Sequence, residues 1–338
     1  MNDQIVKRFL NISSMIGDTP LLEIHLKYRG EPMTVWAKAE YYNFTGSIKD
    51  RVAYHILKRA YETGQIEEGQ PIAEATSGNT GIAFAALGSY LRNPVTIFMP
   101  DWMSTERISL IRSLGAEVVL VSKEEGGFTG SIERCERFAA EHSAFLPRQF
   151  ANPVNVETHT LVTGPEIIRQ LDRAGQRAGA LVAGVGTGGT IMGLSRCFRS
   201  KWADCKAFPL DPENSPTMFS GGKIVGSHRI AGIGDEFVPP IMKLDQLNNI
   251  IMVDDGDAIN MTRKLSSTLG LGVGISSGAN FLGAIIAREI LDDADAAVIT
   301  TFADDNKKYL STDLMCDQPV RDDHLTCDVE LLDFKAYR

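Results

Sequence analysis

Cysteine is scarce and unpaired in this chain of 338 residues: Cys135, Cys197, Cys205, Cys316 and Cys327, an odd set with no CxxC. That argues against a disulfide framework and a zinc knuckle, and fits a reducing cytosol; no metal is expected. Long hydrophobic runs are missing as well. No stretch of 18 or more apolar residues appears, so nothing is expected to span a membrane. The opening MNDQIVKRFLNISSMIG lacks the long apolar core of a signal peptide, which also predicts a cytosolic protein. Positive charge is in deficit, with 34 Lys and Arg against 43 Asp and Glu and a formal net charge of −9. A nucleic-acid partner held by bulk electrostatics is therefore not expected. An anionic cofactor stays open, because local backbone N–H groups hold anions against the global field.

What is present is ordinary globular material: 43% hydrophobic and 23% charged residues. The length suffices for one large domain or two ordinary ones with a substantial core. Short β-rich runs alternate with helical patterns. TVWAKAEYY, PIAEATSG, VTIFMP and EVVLVS read as strands, followed by ALVAGVG, CKAFPLD, NIIMVDD and AAVITTFA, with helices between. Such alternation predicts parallel sheets covered by helices on both faces. The segment PENSPTMFSGGKIVGSHRIAGIGDEFVPP is a long Gly- and Pro-rich loop, a length that favours function. The tail after Leu314 shows no clear periodicity.

Five segments carry candidate chemistry. In NFTGSIKDR, Lys49 enters the first turn of a helix, where the dipole disfavours a cation. A lysine desolvated there has a depressed pKa, which suits Schiff-base chemistry; the bland alternative is a solvated surface lysine. In EATSGNTG, Thr76, Ser77, Gly78, Asn79 and Thr80 offer hydroxyls, an amide and N–H groups at a helix start, a carboxylate receptor or simply a capped turn. In GVGTGGT, between a strand and a helix, the glycines let backbone close on a phosphate. Gly184, Gly186 and Gly189 also satisfy GxGxxG, and Asp211 ends the next strand-like run, so a dinucleotide site of an NAD-dependent oxidoreductase competes. GISSGAN opens a further helix and reads alone as a serine cap. In QFANP, Gln149 at a strand end presents an amide, and the nearby His159 reads as a packing residue rather than a base.

Taken together, the order Lys49, TSGNTG, QFANP, GTGGT and GISSGA resembles the cysteine synthase / cystathionine β-synthase family of fold type II pyridoxal-phosphate enzymes. IGDTPLLEI, MPDWMSTERISLIRSLGAEVVLV, SGGKIVGSHRIAGIG and KKYLSTDL agree, and the resemblance covers roughly residues 10 to 314. It implies two doubly wound α/β domains with the cofactor between them. The smaller spans 43–148, the larger combines 1–42 with 149–315, and 316–338 forms a tail. It also implies a homodimer acting on a small amino acid. Lys49 matches the lysine that holds pyridoxal 5'-phosphate as an aldimine and then takes the substrate α-proton. Asn79 matches the partner of the ring hydroxyl, and Gly186, Thr187, Gly188, Gly189 and Thr190 match the phosphate cradle. Thr76, Ser77, Gly78, Asn79, Thr80 and Gln149 match the substrate carboxylate receptor. Ser276 matches the partner of the pyridine nitrogen, and a hydroxyl there leaves the ring a weaker electron sink than a carboxylate would. The implied reaction is β-elimination or β-replacement through an α-aminoacrylate, with sulfide released or incorporated.

One departure bears on which. After GIG, where cysteine synthases typically carry small residues, this sequence has Asp235 and Glu236. A carboxylate there repels hydrosulfide and suits a general base for a neutral nucleophile such as water. Asp235 is accordingly expected to be catalytic. Glu236 is left between that role and a solvated loop. The acid tips the expectation toward a cysteine (hydroxyl) lyase over a cysteine synthase. A non-enzymatic relative is disfavoured by the intact lysine, cradle and Ser276.

Overall fold

The computed structural model of the chain describes residues 1–291, 293 and 295–338. In chain order it runs α1 (Asp3–Ser13), β1 (Leu21–Tyr28), β2 (Glu31–Ala39), α2 (Lys49–Glu62), β3 (Ile72–Ala75), α3 (Asn79–Leu91) and β4 (Val95–Pro100). It continues through α4 (Thr105–Ser113), β5 (Glu117–Val121), α5 (Gly127–His142), α6 (Pro153–Thr158), α7 (Gly164–Ala174), β6 (Ala178–Gly184) and α8 (Gly189–Lys201). It ends with β7 (Lys206–Pro212), β8 (Ile251–Val253), α9 (Asp255–Leu269), α10 (Ile275–Ile290), β9 (Ala297–Phe302) and β10 (Val329–Tyr337). Two compact units result: Met1–Gly17 with Asn43–Asn155, and Asp18–Tyr42 with Val156–Arg338.

The smaller unit holds a parallel sheet in the order β3-β4-β5. β3 and β4 are buried on both sides, which explains why IAEA and VTIFMP lack polar alternation. Ile72, Ile97 and Met99 face the apolar sides of α2 and α3, including Val52, Ile56, Phe84 and Leu87. Ala73, Ala75 and Phe98 face Cys135 of α5. Here the expected boundaries are corrected, because residues 1–17 and 149–155 pack with the smaller unit and not the larger. Phe9 of α1 sets its ring edge-on to Tyr54 and Tyr61 of α2, with centroids 5.6 and 5.7 Å apart. Ile5, Phe9 and Ile12 are buried there, an amphipathic stripe that must cover something apolar.

The larger unit holds a seven-stranded sheet, β10-β1-β2-β9-β6-β7-β8. It is mixed rather than wholly parallel: β10, β1 and β2 pair antiparallel, and β2 through β8 pair parallel. Val182 and Leu210 pack with α9 and α10 on one face. Leu181 and Ala183 pack with α7 and α8 on the other. The C-terminal segment is no loose tail, since β10 pairs along all of β1 and closes that edge of the sheet. Its burial alternates only at Val329 and Leu331, and the register with β1 shifts between His25 and Leu26. That interruption hides the period of two. A fully buried lysine, Lys38 of β2, donates to Glu166 at 2.5 Å, to Gln170 at 2.8 Å and to the Thr19 carbonyl. This ties the start of β1 to α7. Among the described residues no helix is long and apolar enough to cross a membrane.

Candidate active site

The candidate residues divide between the units: Lys49, residues 76–80 and Gln149 in the smaller, and residues 186–190, Asp235 and Ser276 in the larger. Lys49 is the first residue of α2 and is half-buried. Its N–H donates to Ser47 Oγ at 3.3 Å. Asp50 folds back on the preceding turn, accepting from the Thr45 N–H at 2.7 Å and the Thr45 hydroxyl at 2.5 Å. The helix start is thus fixed by Asp50, an acid in the first turn as the dipole favours.

The turn 76–80 joins β3 to α3. Gly78, φ +157°, is its pivot; a Cβ there would meet Arg107 Cδ at 2.4 Å, so any side chain would force Arg107 to shift. Its N–H donates to Thr76 Oγ1 at 3.1 Å. Ser77 and Asn79 are half-buried, while Thr76 and Thr80 are buried. Gln149 lies in the turn before α6 rather than at a strand end, and is 2% exposed. It brackets the β3–α3 turn. Its Oε1 accepts from Thr80 at 2.5 Å, its Nε2 donates to the Ala75 carbonyl at 3.0 Å, and its own carbonyl accepts from Asn155 at 2.9 Å.

Beneath it lies Glu74, which sequence reasoning quoted but gave no part. Glu74 accepts from the Ala75 N–H at 3.1 Å and the Gln149 N–H at 3.4 Å. Burial pushes its pKa up to about 8, against the pull of those N–H groups.

In the larger unit, β6 delivers the chain into residues 184–190 and α8. Gly188 caps α8 at φ +86°, and Thr187 is buried. The first N–H groups of a helix have no intrahelical acceptor, so this turn presents donors and a positive dipole end to an anion. Thr190 Oγ1 lies 3.4 Å from His159 Nε2, whose Nδ1 meets Thr163 Oγ1 at 3.0 Å. His159 thereby backs the turn from a buried position. Ser276 is buried in the first turn of α10. Asn280, one helical turn on, accepts the Gly184 N–H at 2.7 Å and donates to the Thr301 carbonyl at 2.7 Å, locking α10 to the ends of β6 and β9.

The loop 232–236 presses on the same turn. A Cβ on Gly186 would fall 2.4 Å from the Gly232 carbonyl and 3.8 Å from Asp235 Oδ2. The Gly234 N–H donates to the Val185 carbonyl at 2.9 Å. Asp235 is therefore held half-buried beside Gly186, whereas Glu236 is exposed. No contiguous motif contains this pairing, because its members lie 49 positions apart (235 − 186). Asp211, which a dinucleotide site would turn toward a ribose, instead accepts from the N–H groups of Met218 at 2.9 Å and Phe219 at 3.2 Å. Burial raises its pKa to about 6.

Within the larger unit, an anion-receiving helix start with two threonine hydroxyls suits a phosphate and a serine hydroxyl at a second helix start suits a pyridine nitrogen; within the smaller unit, a lysine at a helix start suits an aldehyde. Residues 12–302 match the family described as pyridoxal-phosphate dependent enzymes, and the chain belongs to that family. It is a pyridoxal-phosphate-dependent enzyme of cysteine synthase type with a fold type II architecture. It is 38% identical over 311 residues to a probable cysteine synthase of Bacillus subtilis, covering 92% of this chain and 99% of the relative. A solved structure of a hydrogen sulfide-producing enzyme from Fusobacterium nucleatum is 51% identical over 98% of both chains, with a TM-score of 0.94. An aspartate-to-asparagine variant of that enzyme, solved with an α-aminoacrylate intermediate, matches at 50% identity and TM-score 0.94 over 96% of this chain and 97% of the other.

Proposed function

We propose that this enzyme is a cysteine (hydroxyl) lyase, converting L-cysteine and water to L-serine and hydrogen sulfide. The observation that carries the reading is Asp235, a carboxylate held beside the phosphate turn at Gly186. When bound, pyridoxal phosphate supplies the electron sink that loosens the α-proton and the Cβ substituent. Residues 186–190 would hold its phosphate, Ser276 its ring nitrogen, Asn79 its ring hydroxyl and Lys49 its aldehyde carbon. Thr76, Ser77, Gly78, Asn79, Thr80 and Gln149 form the turn that receives the substrate carboxylate.

Lys49 takes the α-proton and the thiol sulfur leaves Cβ as sulfide. Asp235 takes a proton from water as its oxygen adds to Cβ, Lys49 returns the α-proton, and Asp235 gives up its proton to solvent, which protonates the released hydrosulfide to hydrogen sulfide. The carboxylate also acts by exclusion. Two like unit charges 4 Å apart repel by about 4 kcal/mol at an effective dielectric of 20. That is enough to disfavour hydrosulfide by roughly a hundredfold or more while leaving water unaffected. The Fusobacterium relative, named as sulfide-producing and trapped after replacement of an aspartate, supports the same reading. The protein is proposed to work in the cytosol as a homodimer.

The second reading is cysteine synthase, favoured by relatives of that name at 36–38% identity. Product analysis separates the two. The holoenzyme given L-cysteine alone is expected to release equal amounts of sulfide and serine. That rate should exceed cysteine formation from O-acetyl-L-serine and sulfide by roughly tenfold or more. The reverse ratio overturns the proposal.

A further inference from the structure

The peptide preceding Asp235 is clamped from both sides. The Gly234 N–H goes to the Val185 carbonyl, and the Gly234 carbonyl accepts from His228 Nε2 at 2.9 Å. The other ring nitrogen is also committed, since the Ile230 N–H donates to His228 Nδ1 at 3.2 Å. Those two bonds fix the tautomer: Nδ1 accepts, so Nε2 carries the proton. Gly234 itself sits at φ +70°, where a Cβ would strike His228 Nε2 at 2.8 Å and Pro212 Cγ at 2.7 Å. Imidazole, glycine and the end of β7 are packed without slack.

We infer that His228 is a positioning residue for Asp235, and that its protonation unlocks the loop 232–236 and uncouples the water-addition step from the elimination step. The inference rests on the role proposed above for Asp235. An imidazolium has a proton on both nitrogens, so Nδ1 would confront the Ile230 N–H and that bond must break. Burial holds the His228 pKa below its ordinary value, opposed by the Gly234 carbonyl and more weakly by Asp255. The neutral, clamping form therefore prevails at neutral pH.

The surrounding charges are already committed. Asp255 accepts from the Arg229 N–H at 3.0 Å and the Arg229 guanidinium at 2.5 Å. Asp211, at the end of β7, is engaged by Met218 and Phe219. Asp235 is the acid being positioned. Elimination uses Lys49 and not this loop, so the two half-reactions respond differently.

The test follows sulfide release and serine formation separately in single turnovers of the holoenzyme across pH, with cofactor absorbance as the check on folding. His228→Ala is expected to slow serine formation roughly tenfold more than sulfide release. His228→Gln both donates and accepts without titrating. It should recover much of the serine rate and shift the acid limb of that step alone to lower pH, where Asp235 itself takes up a proton. Wild-type ratios and an unchanged acid limb in both variants overturn the inference. Asp235→Asn runs alongside. If it leaves serine formation intact, the proposed function fails and takes this inference with it. If it slows serine formation while the His228 variants behave as wild type, the inference fails alone.

Discussion

The turn at 76–80 and the turn at 184–190 each join a parallel strand to a helix, yet the first is bracketed by side-chain hydrogen bonds and the second is closed chiefly by close approach to its glycines. Around the first, Gln149 bonds Thr80 and Ala75, and Glu74 bonds Gln149 from below. Around the second, Gly186 and Gly188 leave space that the Gly232 carbonyl and Met242 occupy closely enough to bar a Cβ. The difference follows from the ligand each turn is proposed to meet. A carboxylate that arrives and departs each turnover suits hydrogen-bonding groups held in place by a network. A resident phosphate suits bare backbone at a helix start, where close approach is everything.

The comparison breaks most visibly at Gly186. Gly186→Ala would place a methyl 2.4 Å from the Gly232 carbonyl, a backbone atom, so the loop or the turn must move. Displacement of about 1 Å at a reacting centre costs on the order of a hundredfold. Turnover should fall by about that much and cofactor absorbance should fall with it, while thermal unfolding of the cofactor-free protein changes far less. Normal cofactor content in this variant would show that the close approach does not matter.

A smaller effect sharpens the other side. Glu74 is buried with its pKa raised from 4.5 to about 8. A raised folded-state value means that the native protein binds the proton more tightly than the unfolded chain. The stabilisation is full below the unfolded value near 4.5 and is lost as pH rises through 8. Glu74→Gln keeps an amide in the same bracket and removes that loss. Denaturant unfolding between about pH 5 and about pH 8 should show wild type losing on the order of a few kcal/mol. The variant should stay nearly level. A parallel decline in both would place the titration elsewhere.

These contrasts explain what was legible in the sequence. Lys49, 76–80, 186–190 and Ser276 lie in contiguous motifs at helix starts, and α2, α3, α8 and α10 begin at or immediately before them. Each motif read alone leaves a capped turn or a dinucleotide turn open, and it is their order along the chain that singles them out as candidates. Glu74 under Gln149, and His228 behind Gly234 and Asp235, depend on tertiary approach and carry no local signal beyond being polar in an apolar or glycine-rich stretch. Lys38 makes the same point from the opposite direction. It is more deeply buried than Lys49, yet Glu166 and Gln170 satisfy it as part of the scaffold. Burial alone does not mark a lysine for chemistry. Helix α1 joined the smaller unit through Phe9, and β10 joined the sheet across a shifted register, choices that neither segment's own pattern specifies.

The central claim is that Asp235 activates water after sulfide has left. The most direct measurement mixes an Asp235→Asn holoenzyme with L-cysteine and follows cofactor absorbance, sulfide and serine in one experiment. The account predicts a stoichiometric burst of sulfide, a persistent spectral change, and serine formation slowed by about a hundredfold or more. Serine released at the wild-type rate, with no lasting change in the spectrum, would contradict it.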